Sequence, residues 1–377
     1  MRPVVVVLTS LVLTQPGLLA AQGQFQFEDD VRIETTSVKN QARTGTCWSF
    51  ASTSFLETEL IRMGREPVDI SEMYFVRMNY AEKVENYLRY HGSAALGQGS
   101  LAGDVMRAVR RHGIVPEAVY PGQEYAGEGH DHSELHRVLK ASADAVLESR
   151  TLSTVWPDAI AGVLDAYLGD PPEEFTWQGR RYTPQTFAEH LGLSPDDYVE
   201  LTSFAHHPFD TWFAIEIPDN WAHNPSYNVP LDEMMAVIDR ALENGFSVDW
   251  DGDVSERSFC HANGVAVLPT VPYEARDQED RGRICTVPEP EVDVTQELRQ
   301  AWFDDHTSTD DHLMHLVGIA HDQNGTKYYL TKNSWGETGV LDGFLYMSEA
   351  FVRAKTISIT VHRDALAREL QRRVGRQ

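Results

Sequence analysis

A cysteine at the head of a helix, with a glutamine six residues before it, constrains this chain more than any other feature. In Gln41-Ala42-Arg43-Thr44-Gly45-Thr46-Cys47-Trp48-Ser49-Phe50 and beyond, apolar Trp48, Ala51, Phe55, Leu56 and Leu60 recur at three- and four-residue steps, with no Gly or Pro until Gly64. That spacing predicts one amphipathic helix with Cys47 in its first turn. Unpaired N–H groups and the positive end of the helix dipole favour thiolate over thiol there, so a depressed pKa and a nucleophilic sulfur are expected. The same turn offers an N–H to an oxyanion, and the Gln41 amide can supply a second donor. Taken alone, Cys47 also fits a buried structural cysteine.

A second block weighs against the structural reading. His312-Leu313-Met314-His315-Leu316-Val317-Gly318-Ile319-Ala320, a turn at Asp322-Gln323-Asn324-Gly325, and Lys327-Tyr328-Tyr329-Leu330-Thr331-Lys332 read as two strands joined by an Asn-Gly turn. An antiparallel hairpin brings His312, at the start of the first strand, beside Asn333, at the end of the second. A carboxamide in that place accepts the imidazole N–H and turns the other ring nitrogen toward a thiol. Trp335 is expected to cover this bond. His315 falls on the opposite face of the strand and reads as a core residue.

Gln-x5-Cys-Trp-Ser-Phe-Ala, Asp-His-x-Met-x-x-Val-Gly-Ile and Asn-Ser-Trp-Gly, in this order, are similar to the three signature blocks of papain-like cysteine peptidases. The resemblance implies a Cys47-His312-Asn333 triad with Gln41 as oxyanion donor, peptide substrates and no cofactor. One spacing departs from the pattern: His312 lies about 265 residues beyond Cys47, where about 130–150 is usual, so roughly a hundred residues have been added. Ser71-Glu72-Met73-Tyr74-Phe75-Val76, Arg110-Arg111-His112-Gly113-Ile114-Val115-Pro116-Glu117 and Gly245-Phe246-Ser247-Val248-Asp249-Trp250 resemble the branch that holds bleomycin hydrolase and bacterial aminopeptidase C.

That branch implies an α+β, two-lobed body. Its helical lobe carries Cys47, its antiparallel, barrel-like sheet lobe carries His312, and a large, mostly helical insertion is added. Members of the branch trim residues from peptide N-termini, and some form closed hexamers, which leaves a homo-oligomer open here. In papain-like enzymes a glycine-rich stretch pairs with the substrate backbone. Gly97-Gln98-Gly99-Ser100 is the local candidate, giving Gly99, Ser100 and Trp335 as substrate-binding residues. In the branch, the C-terminal carboxylate lies in the cleft and captures the substrate amine. Here Leu366, Leu370 and Val374 make a helical stripe opposite Arg368, Arg372, Arg373 and Arg376. Such a helix is expected to dock on the body, keeping Gln377 from the site and leaving endopeptidase cleavage in an open cleft as the alternative to aminopeptidase action. A non-catalytic peptide binder is a third reading, but it has no need of all four of Gln41, Cys47, His312 and Asn333.

With 377 residues, 42% of them apolar, the chain can fill one large core or two lobes. Its formal charge of −25 argues against nucleic-acid binding, which needs a basic face. Met1-Arg2, the apolar run Val4 to Leu13 and Leu18-Leu19-Ala20-Ala21 read as a secretory signal peptide cut near Ala21, too short to span a membrane. An exported enzyme, periplasmic or secreted, is therefore expected, with no long propeptide before Gln41. In an oxidising compartment Cys260 and Cys285 are open to pairing, though two free thiols fit as well. His130, Asp131, His132 and His136, the His206-His207 pair, and Asp249-Trp250-Asp251-Gly252-Asp253 lack metal-site spacing, so no metal is expected. The chain divides into a signal peptide (1–21), an arm with the helical Cys47 lobe (22–125), the insertion (126–230), the sheet lobe (231–364) and the helical tail (365–377).

Overall fold

The computed structural model describes residues 24–125 and 127–375. The segment read as a signal peptide and Gln377 lie outside the described residues. The helices are α1 (Cys47–Arg62), α2 (Glu72–Arg89), α3 (Ala102–His112), α4 (Ser133–Leu147), α5 (Trp156–Leu168), α6 (Pro184–Leu191), α7 (Leu231–Glu243), α8 (Gln278–Arg283), α9 (Gln296–Asp304), α10 (Glu349–Lys355) and α11 (Arg368–Val374). The strands are β1 (Phe27–Arg32), β2 (Phe175–Trp177), β3 (Arg180–Tyr182), β4 (Tyr198–Thr202), β5 (Trp212–Ala214), β6 (Pro225–Asn228), β7 (Val248–Gly252), β8 (Phe259–Cys260), β9 (Val265–Ala266), β10 (His312–Asp322), β11 (Lys327–Lys332), β12 (Phe344–Ser348) and β13 (Thr356–His362).

Two lobes meet along α1. Trp48, Phe55, Phe75, Val105 and Leu164 belong to a helical core, while Trp250, Leu316, Tyr329, Phe351 and Ile359 belong to a sheet core. The sheet runs β5-β6-β4-β13-β7-β10-β11-β12-β9-β8, with β1 added on β10. Its pairs are antiparallel except two short marginal ones, β4 with β6 and β9 with β12. Strand β10 is the hinge of this arrangement. Its first half pairs with β7, its second half with β1, and β11 runs along most of its length. Gly318 permits the crowding, since a Cβ there would stand 2.4 Å from the Val31 carbonyl oxygen. The turn to β11 is closed by Asp322, whose side chain accepts from the Asn324 and Thr326 N–H groups, with Gly325 at φ +82°.

Helix α1 is less one-sided than its apolar spacing predicts. Every residue from Cys47 to Leu60 is buried, because β7 and β10 cover one side and α2 and α3 the other. Several of its polar positions therefore meet buried partners instead of water, while the buried Thr53 and Thr58 hydroxyls have none. Ser49 Oγ donates to the Glu72 carbonyl (2.8 Å), Ser52 Oγ to Asp249 Oδ2 (2.5 Å), and Glu57 accepts from Thr36, Lys39 and the Ile70 N–H. A buried polar group without a partner costs about 1–3 kcal/mol, so these bonds are a condition for sinking such a helix into the core.

The stretch 126–230 changes character along its length. Helices α4 and α5 pack on each other and on α2, and α6 packs on α3, so this part thickens the helical lobe. The last third joins the sheet: Leu201 of β4 stands opposite Ile359 of β13, and β6 and β5 extend that edge. Polar Glu200 and Thr202 inside fully buried β4 hide this strand from pattern reading. At the C-terminus, Leu366, Leu370 and Val374 sink into the sheet core, and Arg373 pairs with Asp210 and Glu233. Among the described residues no helix is long and apolar enough to cross a membrane.

Several carboxyl groups sit inside this body. Burial lifts Glu200, Asp249 and Glu117 to about 7, far above the usual carboxylate range. The folded protein then holds protons that the unfolded chain releases near pH 4. Their contribution to stability is complete below that pH and is lost as pH rises through about 7. The melting temperature is expected to fall between about pH 6.5 and pH 8, above the range in which buried His312 and His132, pulled down to about 4, act in the opposite sense, and Asp249→Asn should flatten that slope. A melting temperature that stays level or climbs over this range in a calorimetric series would contradict the assignment.

Candidate active site

The three sequence blocks converge where the arm crosses the segment after β11. The Gln41 N–H donates to the Ser334 carbonyl (2.8 Å), Ser334 Oγ to Gln41 Oε1 (2.6 Å), and the Gly336 N–H to the Lys39 carbonyl (3.0 Å). Gln41 Nε2 donates to the Thr44 carbonyl (2.7 Å), which fixes the amide and leaves its second hydrogen for another acceptor. His312, at the first position of β10, bonds through Nε2 to Asn333 Oδ1 at 2.8 Å. With Nε2 as donor to that oxygen, Nδ1 is left to accept a proton. The Trp335 ring lies 4.9 Å from the His312 ring and covers the bond. His315, on the other face of β10, is fully buried and shares a hydrogen bond with Ser54 Oγ through Nδ1 (3.0 Å), as a core residue should.

Cys47 opens α1 and is 8% exposed. The expected depression of its pKa is not found. Burial pushes the thiol up to about 12, outweighing hydrogen bonds from the Leu313 and Trp48 backbone, and the Asp310 and Asp251 carboxyls push it in the same direction. Burial also pulls His312 down to about 4 despite its bond to Asn333. Neither a lone thiolate nor a lone imidazolium is comfortable in this pocket. A proton passed from the sulfur to an adjacent imidazole would create both charges together, each offsetting the desolvation of the other. A reactive thiolate here would then depend on an imidazole more than on the helix dipole.

The residues offered for substrate contact are less open than their sequence implies. The Gly97–Ser100 stretch does run beside the Cys47 turn, since Trp48 Nε1 donates to the Gln98 carbonyl (3.0 Å) and the Gly45 N–H to Gln98 Oε1 (2.8 Å). Ser100, however, is 2% exposed and its hydroxyl accepts from Trp221 Nε1 at 2.9 Å. Gly99 is covered as well. A Cβ at this position would stand 1.7 Å from Asp219 Oδ2, so the loop 215–224 is laid directly on the glycine. Lys83, fully buried, donates from beneath to the Gly99 carbonyl. Trp335 is partly exposed and serves as the cover of His312.

Four neighbours of the site escaped sequence reading. Asp310 stands two residues before His312, and Asp251 is paired with Leu313 across β7 and β10. Asp219 arrives on a loop whose sequence carries no sign of its place. His261 lies 3.4 Å from Asn333 Nδ2 through its Nδ1 and 5.1 Å, ring to ring, from Trp335. The chain just before it is anchored by a Cys260–Cys285 disulfide, so the pairing left open by the sequence is made. His206, His207 and Glu216 bring ligand-type atoms within 4.8 Å of one another, but hydrogen bonds of 3.1 and 2.7 Å from the two rings to Glu216 account for their closeness. His132 and His136 are bonded instead to Tyr80 and to the Leu96 carbonyl.

The electrostatics make one expectation sharp. Without the imidazole, the Cys47 thiol should ionise only near pH 12, so His312→Ala should remain almost unreactive to iodoacetamide below pH 9, while the unaltered protein alkylates at neutral pH. Equal alkylation rates for the two proteins at pH 7 would place thiolate formation in the helix terminus instead.

Comparison with known proteins agrees with this geometry. Residues 97–377 match the model of the Peptidase C1-like family, and residues 25–155 match that of the papain family of cysteine proteases. The chain is 24% identical to aminopeptidase C of Streptococcus thermophilus, over 95% of this chain and 88% of that one. It is 22% identical to aminopeptidase E of Lactobacillus helveticus, over 89% and 82%. The crystal structure of PepW from Lactobacillus rhamnosis shares the fold, with a TM-score of 0.70 at 20% identity over 92% of this chain and 84% of that one. The chain therefore belongs to the Peptidase C1-like family and is a cysteine peptidase with a papain-like fold.

Proposed function

We propose that this peptidase is an aminopeptidase in which Cys47, His312, Asn333 and Gln41 carry the chemistry. The sulfur of Cys47 attacks the carbonyl carbon of the first peptide bond while its proton passes to His312 Nδ1. The tetrahedral oxyanion receives hydrogen bonds from the Cys47 N–H and the free hydrogen of the Gln41 amide. His312 then gives its proton to the departing amine, leaving a thioester of the first residue on Cys47. Water, deprotonated by the same ring, releases the amino acid and restores the thiol. Asn333 holds the imidazole in the tautomer these transfers need, and Trp335 keeps water from the bond between them.

The observation that carries the aminopeptidase reading is the loop 215–224, seated on Gly99 and bonded to Ser100, which closes the groove on one side of the Cys47 turn. A cleft closed there has no room for a long chain ahead of the attacked carbonyl. The relatives named aminopeptidases support the same reading. Hydrolysis of one peptide with a free and with an acetylated N-terminus tests it: cleavage of the free form alone, abolished in Cys47→Ala, is expected. Equal internal cleavage of both forms would make the protein an endopeptidase. Loss of one donor by Gln41→Ala should lower kcat about 100- to 1000-fold.

We also propose export, on the basis of the apolar N-terminal run and the Cys260–Cys285 disulfide, which fits an oxidising compartment. The isolated protein should begin at or near Gln22. A chain retained in the cytosol with Met1 in place would exclude it.

A further inference from the structure

Two carboxyl groups, Asp310 and Asp251, act on Cys47 without serving the thiol, and a third, Asp219, lies over Gly99. Asp310 precedes His312 by two residues, and Asp251 lies next to it on β7, opposite Leu313. The Asp310 carboxylate acts on the Cys47 sulfur as a negative neighbour, which a nucleophilic thiolate has no use for. Asp219 lies over Gly99, within electrostatic reach of Asp310 and Lys83. Asp251 is 2% exposed, and its Oδ1 has no hydrogen-bond partner. Burial first, and the Asp310 carboxylate second, hold Asp251 well above the usual range, so it keeps its proton and leaves the charge on its neighbour.

The nearby cations do not balance this set. Arg107 is taken up by Asp104 at 2.7 Å and Glu82 at 3.2 Å. Among the described residues, Lys83 is the cation facing Asp219 and Asp310, fixed on the Gly99 carbonyl; burial nonetheless lifts Asp219 above the usual range and Asp310 to about 7, so the pair remains short of positive partners. Such carboxyls ionise fully only when a further cation comes to them. A single cation of the substrate is the natural complement, and the steric stop at Gly99 says which one. An α-ammonium group sits two bonds from the carbonyl carbon that Cys47 attacks, at the place where a longer chain would continue.

We infer that Asp310 and Asp219 bind the free α-ammonium group of the substrate's first residue, Asp219 also filling the space that a preceding residue would need. This rests on the aminopeptidase reading and names the groups that enforce it. In this chain, then, amine recognition belongs to internal side chains, and the C-terminal helix, anchored through Arg373 to Asp210 and Glu233, takes no part in it.

The test compares kcat/KM for leucyl-aminomethylcoumarin with its N-acetyl form in the unaltered enzyme, Asp310→Asn and Asp219→Asn, both close in shape to the original. Each variant should lose about 10- to 100-fold on the free-amine substrate, the value of a charge-assisted hydrogen bond, and lose little on the acetylated one. Iodoacetamide titration of Cys47 and a melting curve establish that the site is folded. Replacing leucyl by 4-methylpentanoyl, which lacks the amine, should make the aspartate substitutions nearly silent, a coupling that general damage does not produce. If the unaltered enzyme cleaves both forms alike, the aminopeptidase reading itself falls. If it prefers the free amine and both variants keep that preference, only the assignment of Asp310 and Asp219 falls. Faster cleavage after an acetylated lysine-leucine or arginine-leucine pair than after leucine alone would assign the carboxylates to a side-chain cation, and would also overturn the inference.

Discussion

Everything at the site depends on the crossing of the N-terminal arm over the segment that follows β11. Lys39 to Gln41 and Ser334 to Gly336 exchange backbone and side-chain hydrogen bonds, and through them a glutamine of one lobe and an asparagine of the other are held in one frame. Each bond is ordinary, contributing about 1 kcal/mol. Their joint effect is geometric: they fix the distance between a helix terminus and a strand terminus that belong to different hydrophobic cores. Rate in acyl transfer is sensitive to displacements of about an ångström, so this crossing has to be stiff.

A second theme is how much charge the interior accepts. Lys39 is surrounded by Glu57, Asp69 and Glu72 within 2.5 to 3.4 Å, and fully buried Lys355 lies 2.7 Å from Glu256 and 3.8 Å from Asp253. Such networks are weak sources of stability, because desolvation consumes most of the Coulomb attraction. They do confine each lobe to one packing, since a shift of α1 against β7 and β10 would strand several polar groups at once. The chemistry draws on the same low-dielectric setting. Burial disfavours a lone charge on either Cys47 or His312.

Much of this could be read from the residues alone, for stated reasons. The Cys47 helix, the β10–β11 hairpin and the meeting of His312 with Asn333 are local consequences of spacing, turn chemistry and antiparallel pairing, and they are visible in any extended copy of the chain. The all-round burial of α1 was not legible, because its serines and glutamates look like a solvent face until their partners at Asp249, Glu72 and Lys39 are known. Nor was the rise in the Cys47 pKa, which follows from how deeply the turn is buried rather than from its place in a helix. Strands β4 to β6 were hidden by their polar residues and by partners far away in sequence. Asp219 marks the limit most clearly: it reaches the site on an irregular loop whose path is set by Trp221 and Asn220 contacts that no periodicity announces.

The docked C-terminal helix has a consequence for how durable the specificity of the enzyme is. A recognition group carried on a free chain end can be removed by one proteolytic nick, and its loss turns a restricted peptidase into a permissive one. In this protein α11 is occupied with the sheet core, and the feature that closes the groove hangs from the interior of the chain between β5 and β6. On the aminopeptidase reading, trimming the end of such a molecule would leave its groove closed. Relaxing it would require unfolding part of the body, and with that the arm and hairpin that bring the cysteine and histidine together.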